Sequence, residues 1–381
     1  MRPSDLRVAL FSGNYNYTRD GANQALNKLV GHLLARGVGV RIYSPTSSRP
    51  AFQPTGDLVG VPAIRMPGGR GEYKVARGLP GRVRRDLDAF APNLVHVSAP
   101  DLLGHRAVSW AKGQVLPVVA SLHTRFETYP RYYGLTMFEP LIVRLLTRFY
   151  NRVDRVLAPG ESMREVLRGW GVETPVAIWS RGIDHARFDP ARRSLEWRRS
   201  LGLADDEMAV GFLGRLVKEK GLDIFASAAA ELRRRGVPHR LLVIGEGPAR
   251  DWFAAQVPEA VFAGFQQGDD LGRAVASMDV LFNPSVTETF GNVTAEAMAA
   301  AVPVVAARAT GAVDLIEHGA TGFLVPPRDI SAYADAMERL AADPRLRRRM
   351  GEAGHAHVAD YRWDRVNEAV VRAYLEVESR R

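Results

Sequence analysis

Two apolar patterns alternate along the chain. Short apolar runs of the kind buried on both faces of a parallel sheet occur at Leu6-Arg-Val-Ala-Leu-Phe-Ser12, Val38-Gly-Val-Arg-Ile-Tyr43, Leu94-Val-His-Val97 and Pro117-Val-Val-Ala-Ser-Leu122. Between the first two, Ala25-Leu26, Leu29-Val30 and Leu33-Leu34 recur at helical spacing and stop at Gly37. The alternation continues with a strand at 154–158, a helix at 161–170 and a strand at 176–178. It resumes with a strand at 209–213, a helix over 222–235 and strands at 239–244, 261–265 and 280–282. A further strand ends at Val325, helices follow from about Ile330, and a last helix starts at Tyr361-Arg-Trp363. Strand, helix, strand repetition requires parallel sheets, so the fold class is α/β. A chain of 381 residues exceeds what one core normally organises, which implies two domains.

The stretch from Asn283 to Val305 carries the densest chemistry. A strand ends at Phe282, the chain turns through Pro284 and Ser285, passes Gly291, becomes an alanine-rich helix and breaks at Pro303 into a second strand, Val304-Val305. Glu288 stands in the loop beyond the strand, and Glu296 lies two helical turns on. Taken singly, each reads as a surface carboxylate. Yet Glu296 is the only charge from Asn292 to Ala307, among alanine and methionine. Ligands of open α/β sheets bind beyond the carboxyl ends of strands, and a helix start offers unpaired N–H groups to an anion.

A second constellation follows the strand at 209–213. Gly214-Arg-Leu-Val-Lys-Glu-Lys-Gly221 places Arg215 and Lys220 between a strand end and a helix start, beside glycines. An arginine fork and a lysine point charge suit a diphosphate. The first loop, Gly13 to Ala22, contains Gly13 and Gly21 but no Gly-x-Gly-x-x-Gly, which argues against a dinucleotide-binding dehydrogenase. His123 follows a strand directly and opens His-Thr-Arg-Phe-Glu-Thr-Tyr-Pro-Arg-Tyr-Tyr133. A histidine there is either structural or part of a site.

Charge and composition narrow the partners. Of the net charge of +9, residues 1–185 hold 25 Lys and Arg against 14 Asp and Glu, a net of +11, whereas residues 186–381 hold 26 against 28, a net of −2. A basic half attracts anions, including lipid headgroups. Arg70, Lys74, Arg77, Arg82, Arg84 and Arg85 cluster in and after a Pro-, Gly- and Arg-rich segment. The 138–150 helix mixes leucines with Arg144 and Arg148 and has two readings: lying on a membrane, or packed on the sheet with one basic face. With no cysteine there is no disulfide, thiolate metal site or cysteine nucleophile. The first residues show no long apolar core, so no signal peptide is expected, and no window is long and apolar enough for a membrane span.

The pattern Pro-Ser-x-x-Glu-x-Phe-Gly-x-x-x-x-Glu-Ala-Met-Ala around Glu288 and Glu296, with Gly-Arg-x-x-x-x-Lys-Gly at Arg215 and Lys220, resembles retaining nucleotide-sugar glycosyltransferases of family 4. That resemblance implies a GT-B fold, two facing Rossmann-like domains with an interdomain cleft: 1–185 for the acceptor, 186–360 for the nucleotide sugar, and a helix over 361–381 crossing back. It implies that Glu288 and His123 contact the donor sugar, Glu296 the ribose, and Arg215 and Lys220 the diphosphate. Phe290, Gly291, Asn292 and Val293 would face the sugar or diphosphate, with Gly13 and Gly21 in the loop near donor and acceptor. The Gly-Gly pair common in that loop is Gly21-Ala22 here. The His123 motif looks most like members that glycosylate lipids.

The expected reaction moves a hexosyl or uronosyl unit from a GDP- or UDP-sugar to a hydroxyl of a lipid or glycolipid acceptor. No metal or other cofactor and no nucleic-acid partner are expected. The expected place is the cytoplasm, at the inner face of the membrane. The alternatives are a GT-B epimerase or hydrolase, and a basic membrane- or nucleic-acid-binding protein with an inactive sugar site.

Overall fold

The computed structural model describes residues 2–18, 20–65 and 74–379. The chain forms two compact units, Met1–Arg181 with Trp363–Arg381, and Gly182–Arg362.

The first unit runs β1 (Arg7–Phe11), α1 (Gly21–Ala35), β2 (Gly39–Ser44), β3 (Asp57–Gly60), β4 (Ala63–Arg65), β5 (Lys74–Ala76), α2 (Gly81–Phe90), β6 (Leu94–Val97), α3 (Leu102–Gly113), β7 (Val118–Ser121), α4 (Glu139–Tyr150), β8 (Arg155–Ala158), α5 (Glu161–Gly169) and β9 (Val176–Ile178). Seven parallel strands pair in the order β3-β2-β1-β6-β7-β8-β9, and β4 and β5 form a separate antiparallel pair. Alternation along β1 explains the two-sided core. Val8 and Leu10 pack with Leu26, Leu29 and Leu33 of α1, while Ala9 and Phe11 face Val83, Leu103 and Ala107 of the opposite layer.

The second unit holds α6 (Leu195–Ser200), β10 (Ala209–Leu213), α7 (Leu222–Arg234), β11 (Arg240–Ile244), α8 (Arg250–Gln256), β12 (Val261–Gly264), α9 (Gly268–Ala276), β13 (Val280–Asn283), α10 (Asn292–Ala299), β14 (Val304–Ala307), α11 (Ala312–Leu315), β15 (Gly322–Val325), α12 (Ile330–Ala342) and α13 (Pro344–His357). Its six parallel strands are ordered β12-β11-β10-β13-β14-β15. One face carries an aromatic cluster in which Phe225 stacks on Phe282 with ring centroids 5.1 Å apart, and Phe212 and Phe253 lie edge-on to Phe225. The fully buried Arg198 is held by Asp279 at 2.8 Å and by the Ser277 carbonyl.

The last helix, α14 (Trp363–Glu378), belongs to the first unit. Val370, Val371, Tyr374 and Val377 join the α1 side of that unit's core, and Arg155 pairs with Glu376 at 2.9 Å.

Both sheets reverse strand order once, between β1 and β6 and between β10 and β13. Such switch points open a crevice at the carboxyl ends of the strands, where loops on either side diverge.

The 138–150 segment packs on the sheet through one face only. Leu146, Phe149 and Tyr150 of α4 are buried in the core, but Leu141 and Leu145 are about half exposed. They continue an exposed run with Leu135, Met137 and Phe138, beside exposed Arg144 and Arg148. In the basic cluster, Arg77, Arg82, Arg84 and Arg85 are exposed and Lys74 half-buried; Arg70 lies outside the described residues. Among the described residues no helix is long and apolar enough to cross a membrane.

Candidate active site

In the second unit the two sequence constellations meet at the switch point, because one loop follows β10 and the other follows β13. The β10 loop is fixed by backbone contacts with the loop after β11. Leu216 N–H donates to the Glu246 carbonyl at 2.9 Å, and Gly214 N–H to the Ile244 carbonyl at 3.0 Å. This approach demands glycine. A Cβ on Gly245 would lie 1.9 Å from the Gly214 oxygen, and one on Gly247 2.4 Å from the Leu216 oxygen. The loop thus presents Arg215 at the exposed edge. A single 3-10 turn, Lys218–Lys220, leads through Gly221 into α7, and a Cβ there would meet the Pro284 oxygen at 3.1 Å.

The two loops are joined by side chains as well as by packing. Lys220 Nζ lies 2.5 Å from Glu288 Oε1, and Thr287 Oγ1 donates to the Glu219 carbonyl at 3.3 Å. Thr310 Oγ1 donates to the Glu288 carbonyl at 2.7 Å, which pins the loop from the β14 side. Phe290 is buried, and Gly291, with φ of 91°, caps the start of α10. Asn292 and Val293 form the half-buried first turn, whose N–H groups point out of the helix start. Glu296 sits one turn further in, partly buried. Burial pushes its carboxyl up to about 8, against the pull of the Arg187 charge.

In the first unit, Gly13 follows β1 and touches the loop after β6. A Cβ on Gly13 would lie 2.1 Å from Asp101 Oδ2, while Asp101 Oδ1 caps α3 by accepting the Gly104 N–H at 2.7 Å. Gly21 opens α1 behind its cap, Asp20, which accepts the Asn23 N–H at 2.9 Å. Burial raises the carboxyl pKa of both Asp20 and Asp101. His123, just beyond β7, is partly buried with both ring nitrogens hydrogen-bonded: Nδ1 lies 2.7 Å from Arg181 Nη2, and Nε2 lies 2.8 Å from Ser121 Oγ.

The structure therefore brings Arg215, Lys220, Glu288, Phe290, Gly291, Asn292, Val293 and Glu296 to one end of the second sheet. Gly13, Gly21 and His123 lie at the matching end of the first. Three residues escaped the sequence reading. Asp101 was signalled by an N-cap residue before the apolar spacing of Leu103, Ala107 and Ala111. Arg187 and Thr310 act through space and carry no local signal.

Comparison with known proteins identifies the family and the fold. The family described as Glycosyltransferase Family 4 matches residues 19–187, and that described as Glycosyl transferases group 1 matches residues 207–343. A GDP-mannose-dependent alpha-mannosyltransferase of Mycobacterium tuberculosis is 31% identical, over 99% of this chain and 98% of its own. One of Corynebacterium glutamicum is 27% identical over 98% and 89%. The sulfoquinovosyl transferase of Arabidopsis thaliana is 33% identical over 74% of this chain and 56% of its own. Among solved structures, sucrose-phosphate synthase from Thermosynechococcus elongatus superposes with a TM-score of 0.81 at 21% identity, covering 99% and 100% of the two chains. Taken with the paired parallel sheets and the two switch-point loops, these matches establish that the chain belongs to glycosyltransferase family 4, with the GT-B fold.

Proposed function

We propose that the second unit binds a nucleoside-diphosphate sugar and that the enzyme moves its hexosyl or uronosyl unit, with retention, to a hydroxyl of a lipid or glycolipid held by the first unit. The observation that carries this reading is the meeting of Arg215, Lys220, Glu288 and the α10 start at the β10/β13 switch point.

The chemistry follows from where charge develops. The bond between the anomeric carbon and the phosphate oxygen breaks, and its electron pair stays on the departing diphosphate. Arg215, Lys220 and the first-turn N–H groups of α10 stabilise that charge, the kind of interaction that dominates such catalysis. The acceptor hydroxyl forms the new bond on the face the diphosphate leaves, and its proton passes to the leaving phosphate oxygen. Glu288 and His123 orient the sugar, and Glu296 receives the ribose hydroxyls. Phe290 to Val293 line the sugar and diphosphate, and the Gly13 and Gly21 loop lies towards the acceptor. Because these cations supply the electrophilic assistance, no metal is invoked.

GDP-mannose is the proposed donor, supported by full-length relatives named for it. The acceptor class is supported by the exposed Leu141, Leu145, Met137 and Phe138 beside Arg144 and Arg148. That mixture suits the cytoplasmic face of an anionic membrane.

The test is a transfer assay with GDP-mannose, UDP-glucose and UDP-glucuronic acid against membrane lipid extract, with the product anomer read by NMR. A new α-linked glycolipid, formed undiminished in EDTA, is expected. Sugar release or epimerised donor without transfer, with or without lipid, contradicts the reading.

A further inference from the structure

The imidazole of His123 belongs to a buried chain of hydrogen bonds that reaches the last helix. Arg181 Nη2 approaches Nδ1 at 2.7 Å, and Nε2 meets Ser121 Oγ at 2.8 Å. Ser121 Oγ lies 3.0 Å from His96 Nε2, and His96 Nδ1 lies 2.6 Å from Tyr374 Oη on α14. Ser121, His96 and Tyr374 are almost wholly buried, and Arg181 is 5% exposed.

One end of this chain has no freedom of direction. A guanidinium has only donors, so His123 Nδ1 must present its lone pair to Arg181. The proton of the neutral ring then sits on Nε2 and is donated to Ser121. Burial and the Arg181 charge both push the His123 pKa well below the ordinary histidine value, so the ring is neutral at pH 7. Arg181 is itself anchored, since its Nη1 donates to the Trp179 carbonyl at 2.9 Å and its guanidinium lies 4.9 Å from the Trp179 ring centroid. Trp179 in turn donates from Nε1 to Asn367 Oδ1 at 3.1 Å, so α14 holds the chain at both ends.

We propose that Arg181, Ser121, His96 and Tyr374 are positioning residues that lock His123 in its Nε2–H tautomer, so that His123 orients the donor sugar as a fixed surface and carries no proton during transfer. This rests on the reading of His123 as a sugar-contacting residue. Both ring nitrogens are hydrogen-bonded inside the first unit, so the imidazole meets the sugar by its carbon edge. Substituting a group that holds a functional residue in place lowers activity even though that group does not touch the substrate.

The tautomer is read directly by 15N NMR of imidazole-labelled full-length protein, a measurement that needs no activity. The expected His123 signals at pH 7 are a protonated Nε2 and an unprotonated Nδ1. Arg181→Gln and Tyr374→Phe should each lower kcat roughly tenfold, the scale of one lost buried hydrogen bond, with nucleotide affinity unchanged. Arg181→Lys, which restores a donor, should recover part of the loss. Tyr374→Phe keeps shape and packing, and decides the matter if Arg181→Gln does not fold. A protonated Nδ1 in the wild type, or wild-type kcat in a folded Tyr374→Phe, overturns the proposal. A correct tautomer in an enzyme that transfers no sugar would instead sink the functional reading.

Discussion

Lys220 Nζ and Glu288 Oε1 stand 2.5 Å apart and tie the loop after β10 to the loop after β13. The pair keeps a cation assigned to the diphosphate beside a carboxylate assigned to the sugar. Each side chain keeps some exposure, 33% for Lys220 and 14% for Glu288, so both remain accessible to a ligand. Electrostatic groups fixed before substrate arrives need little reorganisation during reaction.

Removing the cation should therefore cost turnover more than folding. Lys220→Ala is expected to lower kcat by about 100-fold or more, the range for loss of one oriented donor to developing charge. Steady-state kinetics, with melting temperature as the folding control, check this. A folded variant with normal kcat contradicts the assignment.

Glu296 links the site to stability. Its folded pKa of about 8 lies above the ordinary value of 4.5, so the folded state holds the proton more tightly than the unfolded chain. Stability in this group is greatest below about pH 4.5 and falls as pH rises towards about 8. Glu296→Gln should flatten that decline and raise the melting temperature near pH 8, while weakening binding of the nucleotide. Thermal melts over that range, without and with nucleotide, read both effects.

Asp279 predicts the opposite balance. It accepts from Arg198, Arg193 and the Ala209 N–H, each at 2.8 Å, and Arg198 has no exposure at all. Asp279→Ala strands that buried charge and should destabilise the second unit by about 3 kcal/mol. Urea denaturation of variant and wild type measures the difference.

The exposed face of α4 gives a prediction separable from chemistry. Leu141→Glu with Leu145→Glu should abolish co-flotation with vesicles containing anionic phosphatidylglycerol. Hydrolysis-free nucleotide binding should be unchanged, because the substitutions lie in the first unit. Retained flotation would argue that this face serves another purpose.

The legibility of the molecule followed the range of the forces involved. Strands such as Val118–Ser121 and Val304–Ala307 announced themselves because burial on both faces favours apolar runs. Glu288 and Glu296 stood out because charge is rare in such a neighbourhood, and Arg215 and Lys220 because glycines bracket them. The alanine helix ends at Ala299, earlier than the proline at 303, since Ala301 adopts a φ of 55°. What did not show was pairing across sequence. Nothing near Gly13 announces that Asp101 presses against it, and nothing near Arg181 announces His123. Helix α3 is faint in the sequence although Asp101 caps it, because its buried stripe of Leu103, Gly104, Ala107, Val108 and Ala111 is made mostly of small residues.

The central claim is that the second unit binds a nucleoside diphosphate through Lys220, Glu288 and Glu296. Calorimetric titration of GDP and UDP into wild type, Lys220→Ala and Glu296→Gln tests it most directly. The account predicts saturable binding of one of the two nucleotides to the wild type, weakened at least about tenfold in each folded variant. Equal affinity in all three proteins, or no binding of either nucleotide to the wild type, would contradict it.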